Sequence, residues 1–494
     1  MKICLATVHA NSTFTPLALL YLKAYAVEQG GRAFDDVEII EFTRADLPDE
    51  IVARVLASDP AVIGFSCYVW NIRTLMAACR RIKELRPGAT IVLGGPEVGP
   101  VAAPVLDANP AVDVIVSSEG EIPFVEILDT IERDGDLAQV KGIVFRRDGA
   151  IVDTGEAPLL QDLNHLSSPH TLRFGDHKGR AICVETQRGC VFRCNFCFYN
   201  KDLSVRNRRF DLDRVKQEIL FWLQQDVSEI YFMDPVFNLN AARTKEICRF
   251  IAEHNVRHID IHAEVWAEFI DEDMARLFHD AHFEYLEVGL QTTDDTALAT
   301  VERRLKLRQF TDGIGYLKQY DLKFELQLIC GLPGETLASF RRSLNFACSL
   351  DPPYLDVFPL MILPGTELWK KARSMNLDFD PEPPYHVRSH LSMSQADIAY
   401  GQGMIDALDV FWTSRTIRTL ARETGVTFAD VIDGWIDWQR REPASAVPPV
   451  TPFILDFCAQ RGIPTAFYRA SALREFSDEA AHVPATLEPV SDPA

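Results

Sequence analysis

Arg188-Gly189-Cys190-Val191-Phe192-Arg193-Cys194-Asn195-Phe196-Cys197 is the stretch on which the reading of the fold turns. It places Cys-x3-Cys-x2-Cys just after the apolar run Ala181 to Glu185, which reads as a strand. Thiolates spaced by two and three residues on a loop can converge on one cube of iron and sulfide. Three thiolates leave one iron of a four-iron, four-sulfur cluster without a protein ligand. That iron is open to a substrate or cofactor, as the fourth position of a catalytic zinc is. A closed zinc site wants four ligands, usually as two separated pairs. The nearest further cysteine, Cys183, lies inside the strand.

Downstream, strand-like runs recur with helical patterns between them: Glu229 to Met233, His258 to Ala263, Tyr285 to Leu290, Phe324 to Ile329 and Leu355 to Leu360. Together with Ala181 to Glu185 they make six βα units, too few for a full eight-unit barrel. A partial (βα)6 barrel over 179–375 is expected, with its chemistry at the carboxyl ends of the strands. Upstream, Ile3 to Val8, Val37 to Phe42, Ala61 to Trp70, Thr90 to Leu93 and Val112 to Ser117 alternate with helices, which predicts a doubly wound, flavodoxin-like α/β domain over 1–150. Thr15-Pro16 reads as the cap of the first helix, whose apolar face is Leu17, Leu20, Tyr21, Ala24 and Val27. Lys141 to Thr154, with Asp148-Gly149, reads as a closing hairpin. Residues 151–178 are expected to be a linker. Residues 376–494 read as a mainly helical region with Trp412, Trp435 and Trp438, ending in a frayed tail.

The chain has 494 residues with 50 Lys plus Arg against 71 Asp plus Glu, a formal charge of −21. Such a surface repels phosphate backbones, so nucleic acid is not the expected partner. No apolar run is long enough for a membrane helix, and Met1 to Val8 reads as a buried strand rather than a signal peptide. A cytoplasmic location is expected. The 11 cysteines are odd in number and mostly lie in apolar runs, which suits reduced thiols.

At this point the chain resembles the radical S-adenosylmethionine superfamily. Cys190, Cys194 and Cys197 would hold the cluster, and Phe196 matches the aromatic commonly found before the third cysteine. In that family the open iron chelates the methionine part of S-adenosylmethionine, and one electron cleaves it to a 5′-deoxyadenosyl radical. The resemblance implies S-adenosylmethionine contacts at four strand-end positions. Asp234 would lie near the methionine amine and Glu264 near the ribose, while Glu287 and Gln291 belong to an E-x-G-x-Q stretch. Asp234 reads equally as a turn residue, and Glu287 as a buried structural acid needing a partner.

A doubly wound domain ahead of such a barrel resembles the cobalamin-binding subfamily. The strand-end words agree: Trp70 and Asn71; Gly94, Gly95, Pro96 and Glu97; Glu119 and Gly120. Glycines there let backbone approach a flat ligand. Asp-x-His-x-x-Gly, which puts histidine on cobalt in related domains, is missing from this one, so the resemblance implies cobalamin without a histidine ligand. Trp70 or Asn71 would face its lower side. Methylthiotransferases carry three extra cluster cysteines, but Cys4, Cys67 and Cys79 lie in strands and a helix.

The resemblance implies a cobalamin-dependent methyltransferase acting on an unactivated carbon. One S-adenosylmethionine would methylate cobalamin and a second would make the radical. Ring contraction or cyclisation with the same cofactors is the alternative, and a non-catalytic cobalamin or redox sensor is an alternative of another class. A small-molecule substrate is expected, with Tyr385, His386 and Arg388 as contacts. An electron donor such as flavodoxin or ferredoxin is implied, and no membrane partner.

Overall fold

The computed structural model describes residues 1–170, 177–200, 207–441 and 450–465, with 468, 471, 472 and 475. The expected frayed tail lies outside the described residues, as does 171–176 of the expected linker. The chain divides into two compact units. The first comprises Met1–Gly289, Leu298–Glu325 and Met361–Arg388; the second comprises Leu290–Ala297, Leu326–Leu360 and the described residues from 389 onward.

The first unit opens with a sheet of β1 (Ile3–His9), β2 (Val37–Thr43), β3 (Val62–Ser66), β4 (Thr90–Gly94), β5 (Val114–Val116), β6 (Ile143–Arg147) and β7 (Ala150–Asp153). Its order is β2-β1-β3-β4-β5-β6-β7, parallel through β5. The expected hairpin β6–β7 is present and adds two antiparallel strands. Period-two alternation explains why β1 is apolar throughout. Ile3 and Leu5 pack toward α1 (Leu17–Glu28) and α5 (Glu121–Glu132). Cys4, Ala6 and Val8 pack on the other face toward α2 (Pro48–Leu56), α3 (Ile72–Leu85) and α4 (Ala102–Ala108). Cys67 and Cys79 share that second core as buried free thiols.

Three local expectations need correction. The run expected to extend as a strand to Trp70 stops at Ser66, because the chain turns at 69–71 into α3. Helix α1 buries Leu19, Leu20, Tyr21, Lys23, Ala24 and Ala26, whereas Leu17 and Val27 stay partly exposed. It is covered on two sides, so the buried arc is wider than one stripe. Thr15 does not cap this helix: its N–H donates to Ala181 O at 3.0 Å and its Oγ1 accepts from Cys183 N–H at 3.2 Å. Thr15 instead joins the loop after β1 to the edge of the second sheet.

That second sheet begins with β8 (Ala181–Val184), which β9 (Gln187–Arg188) follows; β9 pairs with β10 (Arg208–Arg209). Then come α6 (Leu212–Leu223), β11 (Glu229–Phe232), α7 (Ala241–His254), β12 (Asp260–Val265), α8 (Glu272–Asp280) and β13 (Phe283–Gln291). The helices α9 (Asp295–Thr300) and α10 (Leu307–Gln319) lead to β14 (Phe324–Cys330), α11 (Leu337–Ser349) and β15 (Tyr354–Pro359). The six long strands are ordered β8-β11-β12-β13-β14-β15, and β8 to β13 are parallel. This is the partial parallel barrel expected from the sequence. The segment before it packs closely, since Leu163, Leu166 and His170 are buried and Trp222 Nε1 donates to His170 Nδ1 at 2.9 Å. A short helix α12 (Glu367–Lys371) follows β15 and belongs to the first unit.

The second unit is helical beyond 389: α13 (Gln395–Phe411), α14 (Arg415–Thr424), α15 (Phe428–Arg441) and α16 (Val450–Gln460). Its core is aromatic. Phe411 stacks on Phe453 at 5.7 Å, and Trp435 meets both of them edge-on. No helix among the described residues is long and apolar enough to cross a membrane.

Candidate active site

The strand β8 ends one turn before the cysteines, and a carboxylate fixes that turn. Asp234, at the end of β11, accepts from Thr186 N–H at 2.7 Å and Gln187 N–H at 3.2 Å, and from the Thr186 hydroxyl. It is 0% exposed, and burial pushes its carboxyl up to about 7. Asp234 therefore braces the entry to the loop. Within the loop Asn195 is pinned from two sides. Its N–H donates to Val301 O at 2.9 Å, its Nδ2 to Thr300 O at 3.1 Å, and its carbonyl accepts from Leu368 N–H at 3.0 Å. Phe192 stacks on Trp266, ring centres 3.7 Å apart and nearly parallel.

Arg303 completes the clamp. One Nη donates toward Cys194 Sγ at 3.8 Å, the other to Gly289 O, and the guanidinium lies 4.5 Å over the Trp266 ring. The three thiols lie in electrostatic reach of one another: burial, then the neighbouring cysteines, pushes Cys197 up to about 12, and burial also raises Cys190. Among the described residues no three His, Cys, Asp or Glu groups close on a single metal ion.

Beside the loop stand two carboxyls. Glu264 on β12 and Glu287 on β13 are register partners. Like charges placed opposite each other favour taking up a proton. Burial, then Glu287 and Asp234, pushes Glu264 up to about 8, while Glu287 accepts from the Tyr231 hydroxyl. Phe196 is half-buried within the loop. Gln291, in the second unit, has a buried Oε1 with no hydrogen-bond partner among the described residues.

A cavity of about 320 Å³ opens at the carboxyl ends of β3, β4 and β5. Of the residues expected to meet cobalamin, Gly94, Gly95, Pro96, Glu119 and Gly120 line it, whereas Trp70, Asn71 and Glu97 do not. Gly95 has φ +108°, and a Cβ there would stand 2.5 Å from Cys67 O, so only glycine fits. A Cβ on Gly94 would meet nothing nearer than 3.9 Å. Asn71 is 1% exposed, and its amide is spent on backbone: Nδ2 to Val8 O and Ser66 O, both 3.1 Å, and Oδ1 from Tyr68 N–H at 2.8 Å. Trp70 is 41% exposed, donates to Val8 O at 3.1 Å and stacks on Tyr68 at 4.4 Å. Of the stacked pair, Tyr68 and not Trp70 lines the cavity.

Glu185 and Met233, just past the ends of β8 and β11, line the same cavity with Arg188 of β9 and Tyr199. Arg188 and Arg208 are register partners on β9 and β10, and each reaches a glutamate at the start of α5. Arg188 pairs with Glu121 at 2.7 Å and with Glu185 at 3.0 Å; Arg208 pairs with Glu119. Burial alone would raise Glu121, yet Arg188 holds it below the usual carboxylate range, whereas burial leaves Glu185 raised. Arg188 also lies 4.8 Å over the Tyr21 ring, whose buried hydroxyl has no hydrogen-bond partner among the described residues.

Tyr385 is buried and donates to Glu97, and its ring meets Trp369 edge-on. His386 is half-buried, and burial pushes its imidazole down. Arg388 is an exposed partner of Asp378 at 2.6 Å. None of these three lines the cavity. The sequence alone gives Tyr21, Tyr68, Arg188 and Arg303 no role at the site. Tyr68 could have been found, since it continues the period-two face from Ser66. Arg303 lies 109 residues from Cys194 in the charged run Glu302-Arg303-Arg304, which reads as surface.

Two family models match the chain: Radical SAM superfamily over residues 184–347 and B12 binding domain over residues 3–128. An uncharacterized methyltransferase of Pyrococcus horikoshii is 25% identical over 374 residues, 74% of this chain and 80% of that protein. The cobalamin-dependent radical SAM methyltransferase TokK of Streptomyces tokunonensis is 29% identical over 379 residues, 72% of this chain. That match covers 54% of TokK, so the chain spans about half of its length. Among solved structures, the cobalamin-dependent S-adenosylmethionine radical enzyme OxsB with aqua-cobalamin bound shares the fold. Its TM-score is 0.67 at 13% identity, covering 97% of this chain and 80% of that one.

Proposed function

We propose, from the premise that the chain belongs to the cobalamin-binding radical S-adenosylmethionine family, that it transfers a methyl group to an unactivated carbon of a small molecule. The family brings a 4Fe-4S cluster, S-adenosylmethionine and cobalamin as cofactors. The residues fit these groups. Three thiols share one clamped loop beside a guanidinium. The cavity at the β4 end offers glycine backbone and the unpartnered Tyr21 hydroxyl, which suits a flat ligand with a polar edge.

When bound, the cluster and S-adenosylmethionine supply a hydrogen-abstracting radical, and cobalamin supplies the methyl group. Two molecules of S-adenosylmethionine are consumed per transfer, one for each task. Cys190, Cys194 and Cys197 hold the cluster, and Phe196, Glu264 and Glu287 flank S-adenosylmethionine. Gln291, in the second unit, keeps an amide oxygen for a polar ligand. Asp234 acts through the backbone of Thr186 and Gln187 as a positioning residue. Gly94, Gly95, Pro96, Glu119 and Gly120 line the corrin side, with Tyr68 backed by Trp70. Asn71 holds the turn beneath them. Residues 1–150 serve cobalamin and residues 179–375 serve radical formation. His386 is the remaining substrate candidate of its segment. The reaction runs in the cytoplasm, with flavodoxin or ferredoxin as the electron donor.

The observation that carries this reading is the shared cavity. Strand ends of the first sheet and the flank of the cysteine loop face one space, where reacting groups can be held close and away from water. The test is an anaerobic incubation of reconstituted chain with hydroxocobalamin, methyl-deuterated S-adenosylmethionine and a strong reductant, read by mass spectrometry. Deuterated methyl on the recovered corrin together with 5′-deoxyadenosine supports methyl transfer. Deoxyadenosine without label on the corrin favours ring rearrangement, and neither product contradicts both readings.

A further inference from the structure

Arg303 joins the cysteine loop, the end of β13 and an aromatic stack at once. Its guanidinium fork reaches Cys194 Sγ at 3.8 Å and Gly289 O, with its plane over Trp266 at 4.5 Å. Trp266 is itself stacked on Phe192, which lies between Cys190 and Cys194 in sequence. Its Nε is buried with no hydrogen-bond partner among the described residues.

We infer that Arg303 is a positioning residue that fixes the cysteine loop and favours the reduced state of the cluster through Cys194. The inference rests on the cysteine loop's role as the cluster site. A cluster held by three thiolates is anionic, and reduction adds one more negative charge. A cation donating to a ligating sulfur stabilises the more negative state, because hydrogen bonds to sulfur, charge and exposure set cluster potentials. Away from bulk water such a charge acts more strongly than on the surface. Arginine suits the place better than lysine, since its planar fork can serve carbonyl and sulfur together while stacking on the indole.

The test uses the full chain, reconstituted anaerobically with iron and sulfide, as wild type, Arg303→Gln, Arg303→Lys and the exposed neighbour Arg304→Gln. Iron per chain is measured, and dithionite supplies the single electron in a mediated titration followed by EPR. At the wild-type midpoint, Arg303→Gln is expected to carry wild-type iron with its reduced-to-oxidised ratio down about tenfold, 59 mV for one electron. Arg303→Lys should recover part of this loss, and Arg304→Gln should match wild type. Wild-type iron and an unchanged ratio in Arg303→Gln would overturn the inference. If Arg303→Gln takes up no iron, Arg303→Lys against Arg303→Met decides. A cluster held by Lys near the wild-type ratio but lost in Met supports the role, and equal behaviour overturns it. A wild-type chain that takes up no cluster would instead remove the reading of Cys190, Cys194 and Cys197 on which the inference stands.

Discussion

The hydroxyl of Tyr385 donates to the carboxylate of Glu97, 288 residues earlier in the chain. Tyr385 is 8% exposed and Glu97 5%, so water replaces neither partner. The bond ties the segment after β15 to the loop after β4, next to Gly94 and Gly95. Sequence reading had given the two residues separate tasks, one toward substrate and one toward cobalamin. Tyr385→Phe leaves a buried carboxyl without its donor, which costs about 1–3 kcal/mol. We expect a lower thermal midpoint and weaker cobalamin binding by absorbance titration, with His386→Ala leaving the midpoint near wild type.

The two glycines after β4 should separate stability from ligand binding. Gly95→Ala forces a Cβ toward Cys67 O at a positive φ, so both the midpoint and cobalamin affinity should fall. Gly94→Ala meets no protein atom nearer than 3.9 Å. Its midpoint should hold while cobalamin affinity drops about tenfold, or 1.4 kcal/mol. Calorimetry and absorbance titration on the same samples check both.

Two arginines test what burial does to an ion pair. Arg188 and its partner Glu121 are both mostly buried, whereas Arg388 and Asp378 are exposed. Arg188→Met strands buried carboxylates and should cost about 3–5 kcal/mol. Arg388→Met should leave the unfolding midpoint near wild type, because water screens an exposed pair. Urea unfolding of the cofactor-free chain measures the contrast.

Much of the architecture was legible because parallel strands buried on both faces leave continuous apolar runs, and the Cys-x3-Cys-x2-Cys spacing is local. What failed to show was set by partners distant in sequence. Asp234 and Asn71 read as strand-end ligands, yet they bond backbone 48 and 63 residues away in the chain. Thr15 read as a helix cap until β8 supplied another donor. Arg188 and Arg208 gain meaning only when β9 and β10 pair and α5 brings glutamates to them.

Glu335 gives a pH dependence within the second unit. It is 0% exposed, accepts from the Thr292 hydroxyl at 2.8 Å and from Gly331 N–H at 3.2 Å, and burial pushes it up to about 8. A carboxyl raised on folding gives stability that is full below its unfolded value, about 4.3, and is lost as pH rises through about 8. The midpoint of wild type should therefore fall between pH 6 and pH 9. Glu335→Gln should be near wild type at pH 6 and lose less by pH 9, as thermal melts at both values will show.

The central claim is that one cavity brings the cobalamin side and the cluster side together. EPR of reconstituted chain with cob(II)alamin and dithionite-reduced cluster tests it most directly. The expected result is a cobalt signal broadened by magnetic interaction with the cluster in wild type and sharp in Cys194→Ala, which keeps cobalamin but loses iron. A wild-type spectrum equal to the sum of two independent centres, unchanged in Cys194→Ala apart from the lost cluster signal, would contradict it.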